Sequence, residues 1–311
     1  MTFSIIVVCL NAGEKLRETI ESIRSQTEQD YEIIIKDGES TDEITQTCLN
    51  SYREENHTVQ GKDRAGCGQI RVYCSKDTGI YDAMNQAVQY VCGDYVLFLN
   101  CGDSFYDDGV LERVKEQILQ AGKHRTQVRE ESVRVGMQSV QQSPQISETL
   151  PSLYIFYGNI HERRTNTLVQ SNPIIDDFAC YRNVPCHQVC FYAADLLRKR
   201  TFDTAYTVRA DYEHFLWCYY KGGAKTVYMP VTVAFYEGGG FSETRENEKK
   251  SRQEHKEIVS IYMSAAKVRK YHLIMLVSLA PVRTWIARNP VTAGIYQTIK
   301  KKLYRKEPYD Q

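Results

Sequence analysis

The first hundred residues alternate short apolar runs with amphipathic stretches, and that alternation restricts the chain to a sheet built from β-α units. Phe3 to Leu10 reads as a strand stopping at Asn11, and Gly13 to Gln26 places Leu16, Ile20 and Ile23 on one helical face. Tyr31 to Lys36 is a second strand ending at Asp37-Gly38, and Thr41-Asp42-Glu43 opens a helix to about Tyr52. Gln69 to Cys74 supplies a third strand, Tyr81 to Val91 a helix, and Tyr95 to Leu99 a fourth strand. The pattern predicts a mostly parallel, doubly wound α/β sheet whose ligand crevice lies beyond the carboxyl ends of its strands. Asn11, Asp37, Asp77 and Asp103 fall at those ends.

Carboxylates at a strand end call for a cation. Asn100-Cys-Gly-Asp103, directly after the fourth strand, offers oxygen ligands suited to Mg²⁺ or Mn²⁺, hard ions that share carboxylate with the phosphate oxygens of a substrate. No Gly-x-Gly-x-x-Gly follows the first strand and no P-loop is present, so dinucleotide and triphosphate sites of those kinds lack their fingerprints. With 39 basic and 39 acidic residues the chain has no net field to recruit nucleic acid. Ten cysteines in 311 residues read as reduced thiols, since Cys9, Cys92 and Cys101 sit in or beside apolar runs. Cys180, Cys186, His187 and Cys190 match no common zinc spacing. No cleavable signal precedes the first strand, which points to a cytosolic enzyme.

Further along, Asp108 to Gln120 reads as a helix and Lys123 to Thr149 as a polar, mobile insertion. Tyr154 to Asn159 is a strand with a hairpin through Val169; Ala193 to Arg200 and Asp211 to Tyr220 are helices, and Val227 to Phe235 is a strand. The chain is then charged and helical to about Lys256.

Seven ordered motifs, SIIVVCLNAG, KDGESTDE, KDTGIYDAMNQA, GDYVLFLNCGD, CHQ, RADYEHFL and GGGFS, span roughly Phe3 to Ser242. Together they resemble the bacterial family 2 glycosyltransferases of the GT-A fold that build capsule, O-antigen and exopolysaccharide. The resemblance implies a catalytic domain over 1–245, an inverting mechanism and a nucleotide-sugar donor, a UDP-sugar. It implies that Asn11 and Asp37 hold the base and ribose, with Asp77 and Asp82 lining the same pocket. Asn100 to Asp103 stands where the family's metal-binding Asp-x-Asp lies, with Asn in place of the first Asp and one residue more between; Asp103 is then the principal ligand of Mn²⁺ or Mg²⁺. His187 and Gln188 match a His-Gln pair near acceptor and diphosphate. Asp211, at a helix start, stands where the family places its general base, with Glu213 as the alternative, and an N-cap suits the same position. The glycines from Gly238 to Gly240, with Phe241 and Ser242, match a segment closing over the donor.

From Ser264 to Gln311 ten basic residues face two acidic ones. Leu273 to Val282 is apolar but short of the about 20 residues needed to span a bilayer. With Trp285 and Lys300 to Lys302 it reads as a helical tail, over 246–311, lying on the inner face of the cell membrane and bringing the enzyme to a saccharide or polyprenyl-diphosphate-linked acceptor. A helical hairpin packed on protein is the other reading of this tail. Two other functions compete. A nucleotidyltransferase would need a glycine-rich basic loop where Asn11-Ala-Gly-Glu14 stands, and a non-catalytic partner of an assembly complex would not need Asp37, Asp103 and Asp211 together.

Overall fold

Three strands in register start the sheet: β1 (Phe3–Cys9) pairs in parallel with β2 (Tyr31–Asp37), and β2 with β3 (Ile70–Cys74). On its other side β1 pairs in parallel with β4 (Tyr95–Phe98). The computed structural model describes residues 1–58, 70–122, 153–238 and 244–277. The insertion read over Lys123 to Thr149, the run from Gly239 to Ser242, and the tail beyond 277 lie outside the described residues.

The connecting helices are α1 (Glu14–Arg24), α2 (Glu43–Thr58) and α3 (Ile80–Val88), with α4 over 110–122 after β4. Ile33, Ile34 and Ile35 of β2 are all fully buried, as are Leu97 and Phe98 of β4. Strands covered on both faces read as unbroken apolar runs, and each such side chain contributes roughly 1.5–3 kcal/mol by leaving water.

Beyond β4 the sheet turns mixed. Its order is β3-β2-β1-β4-β8-β6-β9-β5, with β7 on β6. These later strands are β5 (Ser104–Phe105), β6 (Tyr154–Glu162), β7 (Thr167–Val169), β8 (Cys190–Ala193) and β9 (Lys225–Tyr236). β8 runs antiparallel to both β4 and β6, and β5 antiparallel to β9, whereas β6 and β9 are parallel. The expected mostly parallel sheet is thus parallel throughout one half and mixed in the other. The β6-β9 register slips around Asn159. Gly158 is required there, because a Cβ would lie 2.4 Å from the Val231 carbonyl oxygen, and Pro230 brings no N–H to the ladder at the same place.

The helices of this half are α5 (Asp177–Arg182), α6 (Ala194–Lys199), α7 (Ala210–Tyr220) and α8 (Arg245–Tyr262), plus a 3-10 turn at His187–Val189. The chain forms two compact units, Met1–Ile258 and Val259–Gln311, and the whole sheet lies in the first. In the second, α9 (Ala265–Val277) leaves Leu273, Ile274, Leu276 and Val277 exposed.

Candidate active site

Asn11, Asp37, Asp77 and Asp103 all lie where parallel strands end, and their surroundings differ. Asn11 has φ 49°, and its Oδ1 accepts from the N–H groups of Thr41 (2.8 Å) and Asp42 (3.2 Å) just ahead of α2. Asp37 is 1% exposed and accepts from Ser40 N and Oγ, Cys9 Sγ and Cys74 Sγ. Burial works against its charge, but those donors outweigh it and hold the carboxyl below its ordinary value. Asp77 pairs with the buried Lys36 at 3.2 Å and accepts from Gly79 N. Lys36 Nζ also donates to the carbonyls of Asp37 and Ser75, so one cation closes the ends of β2 and β3. Asp82 accepts from Thr78 N and Oγ1 at the start of α3, which lowers its carboxyl. These four lie at strand ends and a helix start of the parallel half, and each accepts from backbone N–H groups there.

At β4 the chain turns sharply. Asp103 N donates to Asn100 O, Gly102 has φ 95°, and Thr19 of α1 clasps the turn by accepting from Gly102 N and donating to Asp103 O. The turn needs glycine for its backbone angle, and a Cβ there would lie 2.6 Å from Glu237 Oε2 and displace that side chain. Asp103 is 4% exposed; Oδ1 accepts from Glu237 N at 3.3 Å and Oδ2 from Gln188 Nε2 at 3.2 Å. Burial raises its pKa in spite of these bonds.

The 3-10 turn links the two ends of the site. Asn100 Nδ2 lies 3.0 Å from His187 Nε2, and His187 Nδ1 lies 3.0 Å from Asp211 Oδ2. With Asn100 as donor, Nδ1 carries the ring proton and donates to Asp211. His187 thereby joins Asn100 to Asp211 while its neighbour Gln188 reaches Asp103. Both ring nitrogens are thus engaged away from Cys180, Cys186 and Cys190, and burial pushes the Cys186 thiol up to about 12.

Asp211 sits in the first turn of α7 and does not cap it: Arg209 is the capping residue, without a side-chain bond. The N–H groups of Thr207, Val208 and Arg209 instead meet the Glu254 carboxylate of α8, at 3.0, 3.1 and 2.8 Å. Asp211 Oδ1 accepts from Tyr212 N (2.8 Å) and meets Tyr81 Oη (2.9 Å). Burial disfavours its charge, but the His187 bond and ring, then Tyr81 and Tyr212 N, hold it below the usual carboxylate range. Oδ1 has both lone-pair positions filled, whereas Oδ2 has one filled by His187 and one open. Tyr81 Oη also lies 3.0 Å from Val208 O. A single O–H proton between two acceptors can face either: Asp211 when charged, Val208 when Asp211 carries a proton.

Glu213, the alternative base, is 2% exposed and paired with Arg200 at 2.9 Å. Two buried oxygens near the centre, Asn100 Oδ1 and Gln188 Oε1, have no protein partner among the described residues. For a divalent ion the fit is that of a shared site. Asp103 and the unpartnered Asn100 oxygen are hard donors, Glu237 stands above Gly102, and no cluster of three acidic, His or Cys side chains completes a cage among the described residues. Such a set suits an ion held largely by substrate phosphate. Thr19, Tyr81, Glu237 and Glu254 were not expected from sequence, because each meets the site from far along the chain.

Polar residues at the ends of parallel strands, with a carboxylate turn after the fourth strand, are arranged as in the GT-A fold of glycosyltransferases. Residues 4–175 match glycosyl transferase family 2, and the chain belongs to that family. A PGL/p-HBAD biosynthesis glycosyltransferase of Mycobacterium bovis is 31% identical over 244 residues, covering 78% of this chain and 79% of the relative; one from Mycobacterium tuberculosis matches equally. Among solved structures, S. aureus TarS 1-349 in complex with UDP superposes with TM-score 0.58 at 14% identity, over 93% of this chain and 75% of that one. The mannosyltransferase PcManGT of Pyrobaculum calidifontis, in complex with GDP-Man and Mn²⁺, gives 0.52 at 13%, over 98% and 88%. At such identity these likenesses speak for the fold.

Proposed function

We propose that the protein is an inverting, metal-dependent glycosyltransferase that moves a sugar from a UDP-sugar to a hydroxyl of a saccharide or polyprenyl-diphosphate-linked saccharide, in the assembly of capsule, O-antigen or exopolysaccharide. The observation that carries this is the Asp211 carboxylate, fixed by His187 and Tyr81, with one open lone pair, joined through His187-Gln188 to Asp103. An acceptor hydroxyl donates to Asp211 Oδ2 and passes its proton there as its oxygen attacks the anomeric carbon. A base so placed contributes roughly 10²–10⁴-fold. One attack from the face opposite the leaving group inverts the anomeric centre. Tyr81 then turns its O–H toward Val208 O, and its oxygen accepts from the newly protonated carboxyl if that proton settles on Oδ1.

The crevice rim of Asn11, Asp37, Asp77 and Asp82 shapes the nucleotide pocket, and Asn100 Oδ1 faces the donor side. Mn²⁺ or Mg²⁺ at Asp103 would neutralise the charge that builds on the departing diphosphate. The UDP in one solved neighbour and GDP-Man with Mn²⁺ in another support a nucleotide-sugar donor and a divalent ion.

The test is a screen of UDP-, GDP- and dTDP-sugars by thermal shift with and without Mn²⁺. A ligand at 100 times its Kd adds about 2.7 kcal/mol of stability. Stabilisation that needs the ion in wild type and is lost in Asp103→Ala supports the reading; ion-independent binding retained in that variant removes the metal assignment. Peripheral attachment at the inner membrane face belongs to the same proposal. Exposed Leu273, Ile274, Leu276 and Val277 share α9 with Lys267, Arg269 and Lys270, and no helix among the described residues is long and apolar enough to cross a membrane. Cosedimentation with anionic vesicles, lost on removing 264–311, checks it.

A further inference from the structure

Beside Gln188 lies a cavity of about 620 Å³ that no step above uses. Its walls come from the β6-β7 hairpin, the segment after it, α5, and the stretch that leads into the 3-10 turn. It lies on the mixed half of the sheet, away from the Asn11, Asp37 and Asp77 rim on the parallel half. Gln188, in its lining, bonds Asp103, and the adjacent His187 bonds Asp211, so a second substrate in this cavity would lie beside the residues that hold both carboxylates. Its volume is within the roughly 300–1,000 Å³ of small-molecule sites.

The lining chemistry narrows what enters. Ile160, Val169, Ile175, Ala179, Val184 and Pro185 supply carbon surface, Arg182 is the one charged side chain in the lining, and no Asp or Glu lines it. Several of its polar groups already serve the protein: Ser171 Oγ donates to Gly158 O (2.6 Å), and Asn172 Oδ1 accepts from Ile174 N (3.3 Å). A sugar ring against the carbon part of these walls would leave hydroxyls unpaired, which is costly, whereas an alkyl or aryl group would not; the polar remainder includes Gln170 and Asn183. Gln188 differs from its neighbours. It is 5% exposed, its Nε2 is committed to Asp103, and its Oε1 is buried without a protein partner. The amide cannot turn over without setting oxygen against the charged carboxylate, so an acceptor oxygen is what it presents.

We propose that this cavity receives the apolar aglycone of the acceptor, an alkyl or aryl group attached to the sugar that is glycosylated, and that Gln188 Oε1 accepts from a hydroxyl of that sugar. This rests on the glycosyltransferase reading above and adds a substrate class to it.

The full-length protein is titrated calorimetrically with octyl β-D-glucoside, kept below its micelle concentration, and with methyl β-D-glucoside; UDP affinity is measured in parallel. The octyl glycoside binds about tenfold or more tighter than the methyl one, because its chain leaves water. Val169→Asp, at the half-exposed rim, and Ile175→Ala, in the wall, each weaken it about fivefold or more while UDP affinity stays unchanged. Two substitutions keep the test valid if one fails to fold. Equal binding of the two glycosides overturns the proposal, as does octyl binding indifferent to both substitutions, which would place the chain elsewhere, for instance on α9. Octyl binding as expected with no UDP binding removes the donor reading and leaves the apolar cavity standing; UDP binding without octyl preference does the reverse.

Discussion

In the β3-β2-β1-β4 half of the sheet every neighbouring pair is parallel, and Asn11, Lys36, Asp37 and Asp77 at the strand ends bond other loops of that same half. In the β8-β6-β9-β5 half the strands run both ways, and Gln188 and Asp211 bond groups that belong to the other half. The first half is built by repetition of a single β-α unit, and on the proposed reading it holds the nucleotide. The second half is where groups from α3, α7, α8 and the 3-10 turn converge on two carboxylates. On the proposed reading binding and chemistry are housed separately, so substitutions should separate them too.

Lys36→Met tests the first half and carries the largest expected effect. It leaves Asp77 without its cation and two carbonyls without a donor, costing about 3–5 kcal/mol in denaturant unfolding, with nucleotide affinity falling as well. A loss below 1 kcal/mol would mean that the two strand ends do not depend on one cation. Asp211→Asn tests the second half. The amide keeps the shape but cannot take the proton, so kcat falls by on the order of 10²-fold with donor affinity and melting temperature near wild type. Turnover within a few-fold of wild type would move the base elsewhere and blur the division.

His214, on α7 three residues after Asp211, is fully buried, and burial lowers its pKa to about 4. The unfolded chain therefore binds a proton more readily than the folded one between about pH 6.5 and 4. Its stabilising contribution is present above pH 6.5 and is lost as pH falls, about 2 kcal/mol by pH 5. Urea unfolding at pH 7.5 and 5 measures this, and His214→Gln should flatten the dependence. Tyr81→Phe has the smallest effect and bears most directly on the comparison, because Tyr81 belongs to α3 of the parallel half yet serves Asp211. Turnover should fall about tenfold, donor affinity should hold, and the acidic limb of the kcat profile should move to higher pH as Asp211 loses a donor. An unmoved limb would make Tyr81 a packing residue only.

The same division decided what could be read from the sequence. β1, β2 and β4 are buried on both faces, so they appear as continuous apolar runs followed by amphipathic helices. β8 was hidden, because its four residues pass directly from the 3-10 turn into α6 with no turn residue to mark either end. β5 has two residues, too few for any periodicity, and α5 is a six-residue helix capped by Asp176. Within the site, the motifs pointed to Asp103, His187 and Asp211, which the structure joins in one network. Asn11 and Asp82 showed the ambiguity of short polar residues at strand and helix ends, since the same side chains suit a ligand and a nearby backbone N–H. Tyr81 and Glu254 could not be found by local pattern, as their partners lie far along the chain.

The Glu254 carboxylate has a consequence for how short the chain can be made. It closes the loop of Thr207, Val208 and Arg209 on which the first turn of α7 begins, so a fragment ending before it exposes three N–H groups and frees the mount of Asp211. A fragment ending at about 245 would retain every strand of the sheet and all the motifs legible in the sequence, yet lose the carboxylate that closes the loop leading into α7. A piece that keeps this closure must run past Glu254, and the first compact unit ends at Ile258.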